Sequence, residues 1–426
     1  MLNHFLNTRN QKTIFMRTRF FLMLSGILNA GFSIIIVIIS RRILSLEETG
    51  ILTLAFAVAK LLLNIGKWGM RNYQVSDSSD IHFSEWYFSR VITVTLMTIC
   101  TSIYIIYNII FNYYSIEKLT TIFLVTLFYA VECIEDIYTG YYQKQGRLDI
   151  SSICQVVRLL ACLICFSISL IITRNLIITL TLTLCIEIVF FYFIKKIIKY
   201  FVSKKEFIRP AVIKRLIKDC FPLFLQSFLL IYISNAAKYK VDSVFGSEVQ
   251  AYFSFLSMPI YAISLFSNII FQPSFTKLSL LYQKREFSTF SKMMEKQALS
   301  IFVMSIICTV VAYFIGIPFL SLIFSAPKLY SYKKAFLILI LGGIGLATVT
   351  IMTAVLTLFR LQKTILILHI LTTIGIITTI DCITNSYGLI GITLNISIWI
   401  FLLAFALIIF YFIHINNEKR NKHGYL

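Results

Sequence analysis

The sequence predicts an all-α, polytopic membrane protein: about twelve transmembrane helices in two six-helix bundles around a central cavity. Three observations lead there. First, 58% of the 426 residues are hydrophobic and the mean hydropathy is +0.84, whereas soluble domains sit near about 45–50% apolar. Second, the chain breaks into apolar stretches of the roughly 20-residue length that crosses hydrocarbon. Third, Lys and Arg gather in alternate loops, which is how cytoplasmic loops are marked.

In chain order the expected spans are residues 20–40, 49–66, 86–110, 119–139, 150–173, 176–194, 220–240, 250–273, 297–324, 334–358, 364–384 and 389–413. The first runs at full length into Arg41 and Arg42 with no small-residue cleavage site, so it reads as a retained span. The second carries Lys60, Asn64, Lys67 and Arg71 at i, i+4, i+7 and i+11. That spacing stacks them along one helix face, as a basic stripe running from the membrane to its mouth. Trp68 and Trp86 flank the loop that follows, as interfacial anchors do, and Arg90 opens span three. Span four holds Glu132, Glu135 and Asp136 on one face. Span five holds Arg158 and a Cys162–Cys165 pair, and span six holds Glu187.

The polar stretch Lys195–Asp219 then divides the chain into six spans and six, giving domains 1–200 and 201–426. Span seven carries Asn235, Lys238, Lys240 and Asp242. All six prolines follow residue 200, and Pro222, Pro259, Pro273 and Pro318 fall where they can kink helices. Gly342, Gly343 and Gly345 permit close packing or bending of span ten. Asp381 lies towards the outer end of span eleven, and Asn395 lies in span twelve, where it can bond a neighbour.

The N-terminal tail (Arg9, Lys12, Arg17, Arg19) and the even-numbered loops hold most of the Lys and Arg. Both termini are therefore expected to be cytoplasmic. The same bias explains the net charge of +20 without a nucleic-acid partner. The nine cysteines lie within or at the ends of apolar segments and read as small apolar residues, with no disulfide framework. Five histidines, mostly in tails and a loop, assemble no catalytic triad, and no Walker loop or HExxH motif occurs. With no long outer loop to build on, a transporter fits better than an enzyme.

A cation in hydrocarbon is costly unless it faces a cavity or a partner. Lys60 lies ~16 Å below the outer end of its span and Arg158 ~12 Å in from the cytoplasmic start of its own. With Lys67, Arg71, Arg90, Lys238 and Lys240 they form a candidate cationic path for an anionic substrate. Lys238, Lys240, Arg41 and Arg42 can equally snorkel to head groups. Glu132, Glu135, Asp136, Glu187 and Asp381 are candidate proton or sodium sites. The competing reading pairs them with Arg158 or Lys60, and Glu187 leans towards such a pair. Tyr73 and Tyr129 could stack on a sugar. No cofactor is expected.

Three blocks resemble polysaccharide flippases of the multidrug/oligosaccharidyl-lipid/polysaccharide exporter superfamily. They are SRRILSLEETG with the later RNYQVSD (Arg71–Asp77), AVECIEDIYTGYYQKQGRLDI (Ala130–Ile150) and CFPLFLQSFLLIYISNAAKYKVDS (Cys220–Ser243). The resemblance implies a two-lobed bundle that carries a polyprenyl-diphosphate-linked oligosaccharide from the inner to the outer leaflet of a bacterial plasma membrane. It implies proton or sodium coupling, and Lys60, Lys67, Arg71 and Arg158 near the diphosphate. One departure is Gln272 in FQPSF, where a basic residue is expected. Membrane lipids and other polysaccharide-assembly proteins are the remaining expected partners. The alternatives are a polymerase or glycosyltransferase of the same pathway, an ion-coupled drug exporter of the same superfamily, and a scaffold subunit of an assembly complex.

Overall fold

A computed structural model describes residues 11–76, 81–199 and 208–423. Arg9, Asp77 and linker residues 200–207 lie outside them, as does the side chain of Gln272. The described chain is helical throughout. The helices are α1 (Gln11–Ile43), α2 (Leu46–Lys67), α3 (Met70–Ser76), α4 (Phe83–Phe111), α5 (Ile116–Lys144), α6 (Leu148–Thr173) and α7 (Leu176–Lys199). There follow α8 (Pro210–Gln283), α9 (Phe287–Val311), a π turn (Ala312–Gly316), α10 (Ile317–Phe324), a 3-10 turn (Pro327–Tyr332), α11 (Lys333–Leu358) and α12 (Gln362–His423).

Nine described stretches are long and apolar enough to cross a membrane. Two of them are double: α8 bends back at Gly246 (φ 79°) and α12 at Gly388 (φ 57°), and a positive φ is where glycine costs least. Helix α5 is not among the nine, because it carries too many charged residues, Glu117 and Lys118 at its start and Glu132, Glu135 and Asp136 further along. Counted with α5 and the two extra arms, twelve long helical segments result, so the chain is a multi-pass membrane protein.

Helix ends follow local rules. Ser45 starts α2 with a reciprocal cap: Glu48 N donates to Ser45 Oγ (3.1 Å) and Ser45 N donates to Glu48 Oε2 (2.9 Å). The hydroxyl of Ser115 caps α5 by accepting from Lys118 N. Pro318 cannot donate its backbone N–H, and the π turn just before it absorbs the change of register.

The chain divides into two compact units, Met1–Phe228 and Leu229–Leu426. The division falls inside α8 rather than in the 195–219 linker, because the first turns of α8 are bound to the first unit. Trp68 stacks on Phe224 (4.1 Å, 5°) and its Nε1 donates to Ile217 O (2.9 Å). Arg209, just before α8, grips Glu85 (2.7 Å), and Tyr73 donates to Asp219 (3.3 Å). Trp68 and Trp86, expected as interfacial anchors, are instead buried at 7% and 2% exposure. Trp68 caps α2 in the left-handed conformation (φ 49°), which folds its ring onto α8.

In the first unit α2 is the central helix, buried continuously from Thr49 to Ala59, with α5 packed along it and α4 beside both. In the second unit α11 packs along α12. The glycines of α11 serve close packing, not bending. A Cβ on Gly342 would lie 2.6 Å from Ser397 Oγ, and one on Gly345 2.9 Å from Ile400.

Candidate functional site

The basic stripe does not run along one helix. The left-handed Trp68 and Gly69 (φ 66°) end α2 directly after Lys67, and Arg71 belongs to the separate helix α3. Within α2, Asn64 turns its amide back onto Lys60 O (3.0 Å), so it satisfies its own helix. Lys60 Nζ donates to Ser33 Oγ on α1 (2.9 Å).

The acids of α5 organise what remains of the stripe. Their i, i+3, i+4 spacing sets three carboxylates on one face, and each meets a cation from a different direction. Lys67 Nζ lies 2.7 Å from Glu132 Oε1. Asp136 takes two guanidinium groups, Arg71 at 3.4 Å and Arg90 at 3.1 Å. Glu135 lies 2.8 Å from Arg158 Nε, and Arg158 also pairs with Glu187 of α7. Helix α5 is thus a charged spine joined to α2, α3, α4 and α6, and through Arg158 to α7. Lys67, Arg71, Arg90 and Arg158 are matched one for one in number by Glu132, Glu135, Asp136 and Glu187. The match is local only in part: Arg158 serves two carboxylates while Asp136 serves two cations.

Gly66 lets this cluster close. A Cβ there would strike Cys133 Sγ, with Met97 Sδ at 2.8 Å, so only glycine lets α2, α4 and α5 approach this closely. Its buried carbonyl accepts from Arg90 (2.6 Å) and from the Thr93 hydroxyl (2.8 Å).

Burial sorts the cations into two kinds. Arg90 is 0% exposed and Arg158 1%. Both guanidiniums are enclosed by protein groups, Arg90 by Asp136 and the Gly66 carbonyl and Arg158 by Glu135 and Glu187. Pairing is what makes their burial tolerable. The side chains of Lys67 and Arg71 keep about a third of their surface exposed (33% and 36%), and Lys60 is half-buried. These three remain accessible on the first unit.

In the second unit Lys240 pairs with Asp381, which gives that acid a structural partner. Lys238 sits over the ring of Tyr261 at 4.9 Å. Asn395 donates to Thr379 Oγ1 (2.6 Å), which also receives Trp399 Nε1 (3.0 Å), so Asn395 bonds across the two arms of α12. Tyr129, considered as a sugar platform, is 5% exposed and packs edge-on against Phe56 and Phe128.

Five participants were missed from the sequence. Gln143 accepts from Arg71 (3.1 Å) and lies two turns beyond Asp136, on the same face. Cys162 donates its thiol to Glu187 (3.1 Å) and lies one turn beyond Arg158. Helical spacing could have found both. Ser33, the Gly66 carbonyl and Tyr261 carry no such signal, because their roles depend on which helices adjoin.

Residues 15–279 match the model of a family described as polysaccharide biosynthesis protein. The capsular polysaccharide biosynthesis protein CapF of Staphylococcus aureus is 25% identical over 350 residues, covering 78% of this chain and 84% of that protein. Among solved structures, an inward-facing multidrug resistance MATE family transporter of the MOP superfamily superimposes with a TM-score of 0.70. Its identity is 13%, over 92% of this chain and 96% of that one. The lipid II flippase MurJ, in its inward closed conformation, gives a TM-score of 0.67 at 14% identity, over 91% and 87%. At such identities the structural likeness establishes the fold, and the sequence match establishes the lineage. The chain belongs to the polysaccharide biosynthesis protein family and has the all-helical membrane fold shared by MATE transporters and MurJ.

Proposed function

We propose that the protein is a flippase for surface polysaccharide biosynthesis. It moves a polyprenyl-diphosphate-linked oligosaccharide from the inner to the outer leaflet of a bacterial plasma membrane by alternating access, and it is not an enzyme. The observation that carries this reading is the set of part-exposed cations Lys60, Lys67 and Arg71 on the first unit of a chain with a transporter fold and a polysaccharide-biosynthesis lineage. Positive-inside bias puts Lys67 at the cytoplasmic end of α2, and Arg71 on α3 just beyond it, where a substrate assembled in the cytoplasm arrives. A diphosphate there meets ammonium and guanidinium donors, which suit phosphate oxygens.

Coupling to a proton or sodium gradient is part of the same proposal. Glu135 and Glu187 share one guanidinium, so the Arg158 group carries the excess negative charge that a proton or sodium ion would neutralise.

The test is a deletion strain and purified protein. Cells lacking the protein should accumulate the lipid-linked oligosaccharide in the cytoplasmic leaflet, shielded from an externally added glycosidase. Proteoliposomes should expose it in a protein-dependent way. Normal exposure in the deletion strain, or sugar polymerisation by the purified protein, would overturn the proposal.

A further inference from the structure

Lys238 is a deep cation that stands outside the ion-pair pattern. In the first unit Lys67, Arg71, Arg90 and Arg158 each meet a carboxylate, and in the second unit Lys240 has Asp381. Among the described residues no carboxylate pairs with Lys238. Asp242, one turn further along α8, is 4% exposed and accepts instead from the Ser247 hydroxyl (3.4 Å). What Lys238 has is a ring face: Nζ stands 4.9 Å from the centroid of Tyr261.

The position is not a snorkelling one. Lys238 lies eight residues before the bend at Gly246, which is ~12 Å along the helix. Side chains tilt towards the N-terminus of their helix, so on the first arm of α8 the lysine leans away from the bend and deeper into the unit. Tyr261, on the returning arm, leans back towards the bend by the same rule. The two therefore meet inside the unit. The Tyr261 hydroxyl is held by Asn235 Oδ1 (3.1 Å) and Ser234 O (3.3 Å), and this fixes the ring under the ammonium. Beside it is a cavity of about 30 Å³, lined mostly by apolar residues together with Ser234, Ser257, Tyr261 and Ser397, roomy enough for a water.

A part-buried ammonium whose partner is an aromatic face keeps most of its hydrogen-bonding capacity unspent, since it has three donors and the ring takes at most one. We propose that Lys238, braced by Tyr261 and Asn235, is a binding residue of the second unit for a phosphate group, in this setting the diphosphate of the polyprenyl-linked substrate. The inference rests on the flippase reading. It adds that the phosphate contact of the second unit is this lysine, left without a carboxylate so that the ligand supplies the missing charge. An ammonium is a point charge that donates to phosphate oxygens in several directions, which suits a head group that has to be released again.

The test uses purified full-length protein in detergent and geranylgeranyl diphosphate as probe. Geranylgeraniol is the control without phosphates, and inorganic pyrophosphate separates a free-phosphate site from a lipid-borne one. The diphosphate should raise the melting temperature of wild type, whereas geranylgeraniol should not. Lys238→Met should weaken that response at least tenfold, and Lys238→Arg should keep most of it. Because Met removes a charge that has no carboxylate, the ligand-free Lys238→Met protein should melt no lower than wild type. A lysine whose role was to hold Tyr261 would behave in the opposite way, with a lower melting temperature and unchanged binding, and that result overturns the proposal. Wild type that ignores the diphosphate altogether would count against the flippase reading itself. Wild type that responds, with Lys238→Met responding equally, would count against Lys238 alone.

Discussion

Replacing Arg158 by Met should destabilise the first unit more than any other single charge removal, and neutralising its partners should restore much of the loss. Arg158 is 1% exposed, and the side chains of Glu135 and Glu187 are 8% and 0% exposed. Removing the guanidinium leaves two carboxylates facing each other without their counter-ion, and breaking a buried pair in this way costs roughly 3–5 kcal/mol. Methionine replaces most of the aliphatic stem, so the packing loss is small and the lower figure applies. At roughly 2–4 °C per kcal/mol for a unit of this size, the melting temperature should fall by about 6–12 °C. In the triple variant Arg158→Met, Glu135→Gln, Glu187→Gln the charges disappear together, and it should melt well above the single variant. Scanning fluorimetry of purified protein in detergent reads both. Arg158→Met melting with wild type, or the triple variant melting below the single one, would refute the reasoning, because either result means the three groups are not energetically coupled.

Two further substitutions probe the packing. Trp68→Ala removes a ring stacked on Phe224 and the donor to Ile217 O. It should cost about 3–5 kcal/mol, the range for deleting a large buried aromatic, and speed hydrogen exchange at residues 209–228; unchanged exchange there would mean that these turns are held by other contacts. Gly342→Val has to fit a side chain where a Cβ already meets Ser397 at 2.6 Å, whereas Gly343→Ala meets Ile260 at a milder 3.1 Å. The first should lower the melting temperature by the equivalent of about 1–3 kcal/mol and the second by much less, and equal losses would contradict the close-packing role of this face.

Much of the fold is legible in the sequence because bilayer thickness and the exclusion of bare backbone from lipid leave few solutions. The spans, their number and the all-helical class follow from hydropathy alone. The single polar face of α5 follows too, because it depends only on helical spacing. Element ends are less legible. Nothing in KWGMRNY requires that α2 stop at Lys67, and the reason it does is a tertiary one: Trp68 finds Phe224 and Ile217. The boundary between the units moves into α8 for the same reason.

What the sequence by itself determined was which charges lie at membrane depth and that something has to compensate them. Helical spacing also put Glu132, Glu135 and Asp136 on one face before any partner was known. Which cation meets which acid was decided only by the tertiary structure, since an ion pair depends on which helices adjoin and on how closely a residue such as Gly66 lets them approach. In the sequence Arg158 and Lys238 are alike, each a cation inside an expected span. Packing separates them, giving one two carboxylates and complete burial, and the other a tyrosine ring and a charge still available to a ligand.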